Sequence, residues 1–291
     1  MDKIEDQLKK PLFKNWVKGG LAYKYLKVGL ETFTDDAVHE EHSRLLKDTK
    51  KKNIEVCNKC SLNNLKPKHE KEFIRQTRQY SCPYRQTRCN CLYSDKIECP
   101  KGFCNEIHNE ILTNHASNPP APNWKNTHIS EWSIHPWEIA KCFINAPGYI
   151  DKKTVNDIDI AGILHVFINN MRLHPYLDCL LNHNDIINKT LQGRNMIFHS
   201  PSMELTLDDF TATTDNMITL LKDKKGLYLN ENAQKAVENI KQLKRNDIYI
   251  TTQNEVDVCK EIKQLEEVTN AQQNTLKYIS QKQELQKKLI K

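Results

Sequence analysis

Seven of the ten cysteines of this chain fall between residues 57 and 104, in "CNKC", "SCPYRQTRCNC" and "ECPKGFC". Little hydrophobic periodicity lies between them, so something other than an apolar core must organise the stretch. The N-terminus "MDKIEDQLKKPLFKNWVKGG" lacks the apolar run of a secretory leader, and no window of ~18 apolar residues is present to span a bilayer. The chain therefore reads as soluble and intracellular, cytoplasmic or nuclear, with no membrane partner. In a reducing compartment clustered cysteines are metal-ligand candidates rather than a disulfide framework.

Thiolate sulfur binds Zn²⁺ tetrahedrally, two close cysteines on a turn giving two corners and a distant pair or histidine the others. "CNKC" has that knuckle spacing, but seven cysteines with His69, His108 and His115 nearby allow several ligand sets. The expected set is Cys82, Cys89, Cys99 and Cys104. Cys57 and Cys60 are candidates for a second site or a replacement pair, and Cys91, His108 and His115 are further alternatives. Four protein ligands leave no open position for water, so the zinc is expected to be structural. Cys142 and Cys179 stand alone in helical segments and read as core; Cys259 reads as tail.

Around this insert the chain looks mainly α. Its 291 residues suffice for one or two globular units with extensions at ~100 to 200 residues per domain. A hydrophobic share of 38% with 27% charged residues implies folded parts joined to solvated helices. In an N-terminal helical segment, residues 8–56, Phe13, Trp16, Val17, Leu21, Tyr25, Val28 and Leu30 recur at roughly helical spacing. Gly19 and Gly20 interrupt them, so two or three packed helices are expected, with Asp35 and Asp36 capping one that runs to Leu46. The Cys/His-rich insert occupies 57–115. Its last part turns helical from Cys104, with Ile107, Ile111 and Leu112 on one side, until the prolines of "ASNPPAPNW" stop it.

Residues 130–225 form the most regular block. "WSIHPWEIAKCFI", "DIAGILHVFINNMRL", "LLNHNDIINKTL", "LQGRNMIFHSP" and "TLDDFTATTDNMITLLKD" each carry apolar residues three and four apart, which predicts an up-and-down bundle of four or five helices. Residues 230–291 read as a polar helical tail. Val258, Ile262, Leu265, Leu276 and Ile279 sit at heptad seam positions interrupted by Thr269, Gln272 and Gln283. That pattern suits a weak coiled coil or a lone amphipathic helix able to recruit a protein partner. "DIYITT" is the one short β candidate.

Within "LQGRNMIFHSP", Arg194 precedes His199 by five positions. On an ideal helix those side chains are ~140° apart and do not share a face. Gly193 is expected to loosen or start the helix there, and a second protomer to complete a site. The chemistry suits RNA: attack of a ribose 2′-OH on the adjacent phosphate needs a proton acceptor and a donor, and histidine serves either role near neutral pH. Arg194 would hold the phosphate charge and Asn195 would orient phosphate or imidazole, with no metal required. The plainer alternative is a surface arginine with a histidine closing the helix end. A net charge of +6 and a pI near 8.7 mildly favour an acidic partner such as RNA.

The order "WEIAKCFINAPG", "DIAGILHVFINN", "RNMIFHSP", "MITLLKD" resembles the HEPN domain found in DAZ-interacting zinc-finger ubiquitin ligases. "FKNWVKGGLAYKYLKVGL", "CNEIHNEILTNH" and "WEIAKCF" further resemble an uncharacterised animal protein family represented in humans by an X-chromosome open-reading-frame product, over roughly residues 12 to 222. The resemblance implies a helical bundle whose Arg, four residues, His motif is Arg194, Asn195 and His199. It implies a homodimer with two motifs in one composite site, acting as a metal-independent endoribonuclease or as a non-catalytic RNA-binding, dimerising or adaptor module in signalling or innate defence. Relatives commonly carry an acid after the Asn; this chain has Met196. Other classes lack their marks: the cysteine spacings do not fit a RING, no H-x-E with P-C-x-x-C or H-E-x-x-H occurs, and no phosphate-cradling glycine loop is present.

Overall fold

The computed structural model describes residues 10–62, 65–67, 69–85, 89–94, 96–181 and 185–245. It is mainly helical. The expected heptad seam, Cys259 and the "DIYITT" strand lie outside the described residues.

The first helix, α1 (Pro11–Lys51), runs unbroken for 41 residues, where two or three helices were expected. Pro11 at its first turn costs no hydrogen bond, and Lys50 and Lys51 in the last turn suit the helix dipole. Gly19 does not break it because the glycine is a notch. A Cβ there would come within 2.6 Å of Ile197 Cδ1. The buried face accordingly runs through Trp16, Gly19, Tyr23, Leu26, Leu30, Val38 and Leu45, while Val28, expected inside, is 51% exposed.

On α1 pack α2 (Phe103–Thr113), the short α3 (Pro136–Ala140) and α4 (Ile160–Asn169); the four-residue α5 (Asp178–Leu181) comes next in the chain, and α6 (Ile186–Phe198), α7 (Leu207–Leu221) and α8 (Glu231–Arg245) again pack on α1. The stretches "IINKTL" and "LQGRNMIF", expected as separate helices, form the single α6. Helix α8, expected in the tail, buries Ala233, Ala236, Val237 and Ile240 and lies against α1 and α7. Two side chains of α1 fix α6: Trp16 Nε1 donates to Ile197 O at 2.7 Å and the Tyr23 hydroxyl to Thr190 O at 2.7 Å. Because their partners are backbone carbonyls, these bonds set the helix itself rather than one rotamer.

The "WEIAKCF" motif encloses a buried ion pair. Lys141 Nζ donates to Glu138 Oε1 at 2.7 Å and to the carbonyls of Ile150 and Lys152, while Glu138 Oε2 accepts from His128 N. With every donor of the ammonium used, the desolvation cost is offset; removing one partner would strand a buried charge, at about 3–5 kcal/mol. This motif is therefore scaffold. Between α1 and α2 lies the cysteine insert, which also holds a short hairpin of β1 (Glu72–Ile74) and β2 (Gln79–Ser81) that the sequence did not suggest, paired Glu72 with Ser81, Phe73 with Tyr80 and Ile74 with Gln79.

Candidate functional site

Arg194 and His199 converge because the helix stops between them. Helix α6 ends at Phe198, and His199 is its C-cap with φ −109° and ψ 13°. Leaving the helical path brings His199 Nε2 to 3.5 Å from Arg194 Nη1, which also reaches Asn195 Oδ1 at 3.4 Å. Gly193 neither starts nor loosens the helix. It lies inside α6, where a Cβ would meet the Tyr23 hydroxyl at 2.7 Å and Thr213 Cγ2 at 2.8 Å, so its smallness seats α6 between α1 and α7.

An acid that the sequence reading missed completes the group. Arg194 Nη2 donates to Asp159 Oδ2 at 3.3 Å, and the guanidinium carbon lies 5.2 Å from the centre of the Phe198 ring. Asp159 is also the N-cap of α4: its Oδ1 accepts from Gly162 N at 2.8 Å and from the Tyr149 hydroxyl at 2.6 Å. Two carboxylate oxygens thus hold a helix start, a tyrosine and the arginine at once. Met196, next to Asn195 in the chain, is 41% exposed.

The electrostatics favour the neutral form of the imidazoles. Partial burial, then the Arg194 charge, lowers the His199 pKa below its ordinary value. His165 on α4 is lowered by burial first; Asp159 raises it and Arg194 lowers it. A neutral histidine can accept a proton, and a guanidinium whose side chain is 15% exposed can polarise an anion brought to it. Asn195 and His199 are exposed, so the group opens to solvent.

The thiols form two groups, with Cys57 and Cys60 in one of them, but the partition differs from the expected set. Cys57, Cys60, Cys99 and Cys104 make the first, and His69, Cys82, Cys89 and Cys91 the second; within each, the ligand atoms lie within 4.8 Å of one another. The expected set is divided, Cys82 and Cys89 belonging to one cluster and Cys99 and Cys104 to the other. None of the nine described cysteines is in a disulfide. The arrangement is nested: the outer residues of the insert pair with each other around the inner unit. In the first cluster, Cys57 and Cys60 follow α1 directly. A turn closed by Gly102 N donating to Cys99 O, with Gly102 at φ +71°, delivers Cys104 into the first turn of α2. In the second, His69 Nε2 stands 3.2 Å from Cys89 Sγ and 3.4 Å from Cys82 Sγ.

Burial pushes the Cys60 thiol up to about 12 and the Cys89 thiol up to about 11. Cys99 moves down: burial opposes this, but the backbone N–H groups of Cys104 and Lys101 outweigh it. A bound cation would favour the thiolates throughout. His108 and His115 join neither group. His108 stacks on Trp124 at 4.7 Å, and His115 Nδ1 accepts from Ser117 N at 3.2 Å. Cys142 and Cys179 are buried outside both groups.

The family model described as "Domain of unknown function (DUF4559)" matches residues 68–290. The chain belongs to this family. It is also 26% identical over 214 residues to a Mus musculus protein, "Uncharacterized protein CXorf38 homolog", an overlap covering 72% of this chain and 56% of that protein's length. No solved structure matches the chain. The family segment contains the inner thiol cluster and the Arg194 group, whereas Cys57 and Cys60 precede it. Among the described residues no helix is long and apolar enough to cross a membrane.

Proposed function

We propose that the chain is a HEPN-like RNA-binding protein that cleaves RNA without a metal at Arg194, Asn195 and His199, working as a homodimer in which two such groups face each other. The observation that carries this reading is the approach of His199 Nε2 to Arg194 Nη1 at 3.5 Å in a solvent-open group backed by Asp159. His199 takes the proton of a ribose 2′-OH, whose oxygen attacks the adjacent phosphorus. The 5′ oxygen leaves with a proton from the second histidine of the dimer or from water, and a 2′,3′-cyclic phosphate remains. Arg194 stabilises the phosphorane charge, and Asp159 holds the guanidinium in place, the part a neighbouring acid at Met196 would otherwise play.

The test is cleavage of a fluorescent single-stranded RNA in EDTA, with exposure short enough to leave the protein's metal content unchanged. Arg194→Ala and His199→Ala should each lose about 10²-fold or more, and Asp159→Asn an intermediate amount. Equal rates in all variants would assign the cleavage to a contaminant. A second reading is supported by the shallow exposure of Arg194 and its contacts with Asp159 and Phe198: a non-catalytic dimerisation or adaptor module with the same bundle. It would give no cleavage at all and a lowered melting temperature in Arg194→Ala.

Both thiol clusters suit structural zinc in this reading. A Zn–S bond of ~2.3 Å in a tetrahedron sets sulfurs ~3.8 Å apart, and Cys57 Sγ lies 3.8 Å from Cys60 Sγ. Elemental analysis of the purified chain should find two zinc per molecule, and none would remove the idea.

A further inference from the structure

The net positive charge of the chain is concentrated in one place. Residues 66–89 contain seven of its 43 Lys and Arg but two of its 37 Asp and Glu, so five of the six net positive charges fall on this stretch. The β1–β2 hairpin stands at its middle. Here a pair of large aromatic side chains is left outside: Phe73 is 55% and Tyr80 57% exposed, although they face each other across the ribbon with ring centres 5.3 Å apart.

Cations stand around those rings. Residues two apart share a side of a ribbon, which places Lys71 beside Phe73, while Arg75 and Arg78 lie in the turn that joins the two strands. Lys71 Nζ lies 4.7 Å from the centre of the Tyr80 ring. Arg75 and Arg78 are exposed and make no ion pair among the described residues. Inner-cluster residue Cys82 follows β2 by one position, so the ribbon is anchored at its base while, among the described residues, its two rings stay exposed.

We infer that this hairpin is a single-stranded RNA-binding finger, with bases stacking on Phe73 and Tyr80 and phosphates meeting Lys71, Arg75 and Arg78. Aromatic faces accept any base, and flanking cations follow the backbone, the combination that sequence-tolerant single-strand binding uses. An apolar protein partner would be poorly served by a short hairpin carrying three cations for two rings. The choice of RNA over single-stranded DNA rests on the function proposed above; the finger itself does not need Arg194 or His199.

The experiment is fluorescence anisotropy of the full, metal-loaded chain with a labelled 12-nucleotide oligouridylate, competed by the matching DNA strand, by an RNA duplex and by an acidic peptide of equal charge. Phe73→Ala/Tyr80→Ala should weaken binding at least fivefold, given about 1–3 kcal/mol per stacked base, and Phe73→Trp/Tyr80→Phe should restore it. Arg75→Gln/Arg78→Gln should flatten the slope of log affinity against log salt by about 1.4 for two phosphate contacts. Unchanged affinity in the aromatic variants, or a duplex competing as well as the strand, would overturn the finger. Displacement by the acidic peptide at equal concentration would reassign the face to a protein. Outcomes for the two sites separate. RNA bound by the wild type but never cut sinks the nuclease reading alone, while RNA cut with unaltered KM by the hairpin variants sinks the finger alone.

Discussion

The two thiol clusters have nearly the same ligands and quite different surroundings. Cys57, Cys60, Cys99 and Cys104 are embedded in a large apolar cluster with Leu45, Phe103, Ile107, Trp132 and Phe143, where the end of α1 meets α2. Cys82, Cys89 and Cys91 have around them Tyr84 and Leu92, with His69 edge-on to the Tyr84 ring at 4.9 Å. A metal in the first cluster would add to a core that already exists; in the second it would substitute for one. The consequence is a division of labour: loss of the outer cluster should disturb the whole bundle, and loss of the inner one should release the hairpin alone.

The largest expected effect is therefore at the outer cluster. Cys104→Ser alters a completely buried side chain and removes one corner of the site. Structural zinc contributes folding energy directly. Loss of several kcal/mol, at about 2–4 °C per kcal/mol for a domain of this size, should lower the melting temperature by roughly 10 °C or more, read by calorimetry. A drop of a degree or two would mean that the apolar core holds α1 to α2 without metal, and the contrast between the clusters would fail. Cys89→Ser is the matched variant. It should lose one zinc, cost less than about 3 °C on the same scale, and abolish amide-exchange protection in 72–81 while leaving α1 and α2 protected.

Why the sequence showed the cysteines but not their partition is a matter of topology. Knuckle spacing identifies which thiols share a turn; it does not say which turns meet, and the outer cluster joins residues separated by the entire inner unit. The signal that was available is the pair of close cysteines at each end of the insert, Cys57 with Cys60 and Cys99 with Cys104, flanking a separate group. Helical content was legible because apolar spacing is local. The continuity of α1 was not, since Gly19 looks like a break in one dimension and is a contact with Ile197 in three. Asp159 was invisible for the same reason, lying 35 residues from the arginine it holds.

A smaller effect comes from acid. His115 is buried against Phe143, at 5.6 Å between rings, and burial lowers its pKa from 6.5 to about 4. The unfolded chain binds the proton first as pH falls, so this group contributes stability above about 6.5 that is lost progressively down towards 4. Acidification would also release the proposed zinc, which makes the informative quantity the difference between wild type and His115→Asn. If burial of the neutral ring is responsible, the variant should lose less of its melting temperature between pH 7 and 5. Parallel curves would show that the acid sensitivity belongs to the thiols, and the outer cluster would then carry the pH dependence of this core.

The smallest effect is the one that bears hardest on the hairpin. Phe73→Ala removes an exposed cross-strand ring, an interaction of about 0.2–1 kcal/mol in an antiparallel pair. Because β1 and β2 contribute no side chain to the large apolar cluster, even that loss is confined to a local opening and the global melting temperature should move by less than about 1 °C. A fall as large as that of Cys89→Ser would show that the ring braces the inner cluster, and its exposure would then be an incidental cost of holding the metal. Stability at the wild-type level with weakened RNA binding leaves one account of why two aromatic rings stand in water there: they are kept for a ligand, and the inner metal is kept to present them.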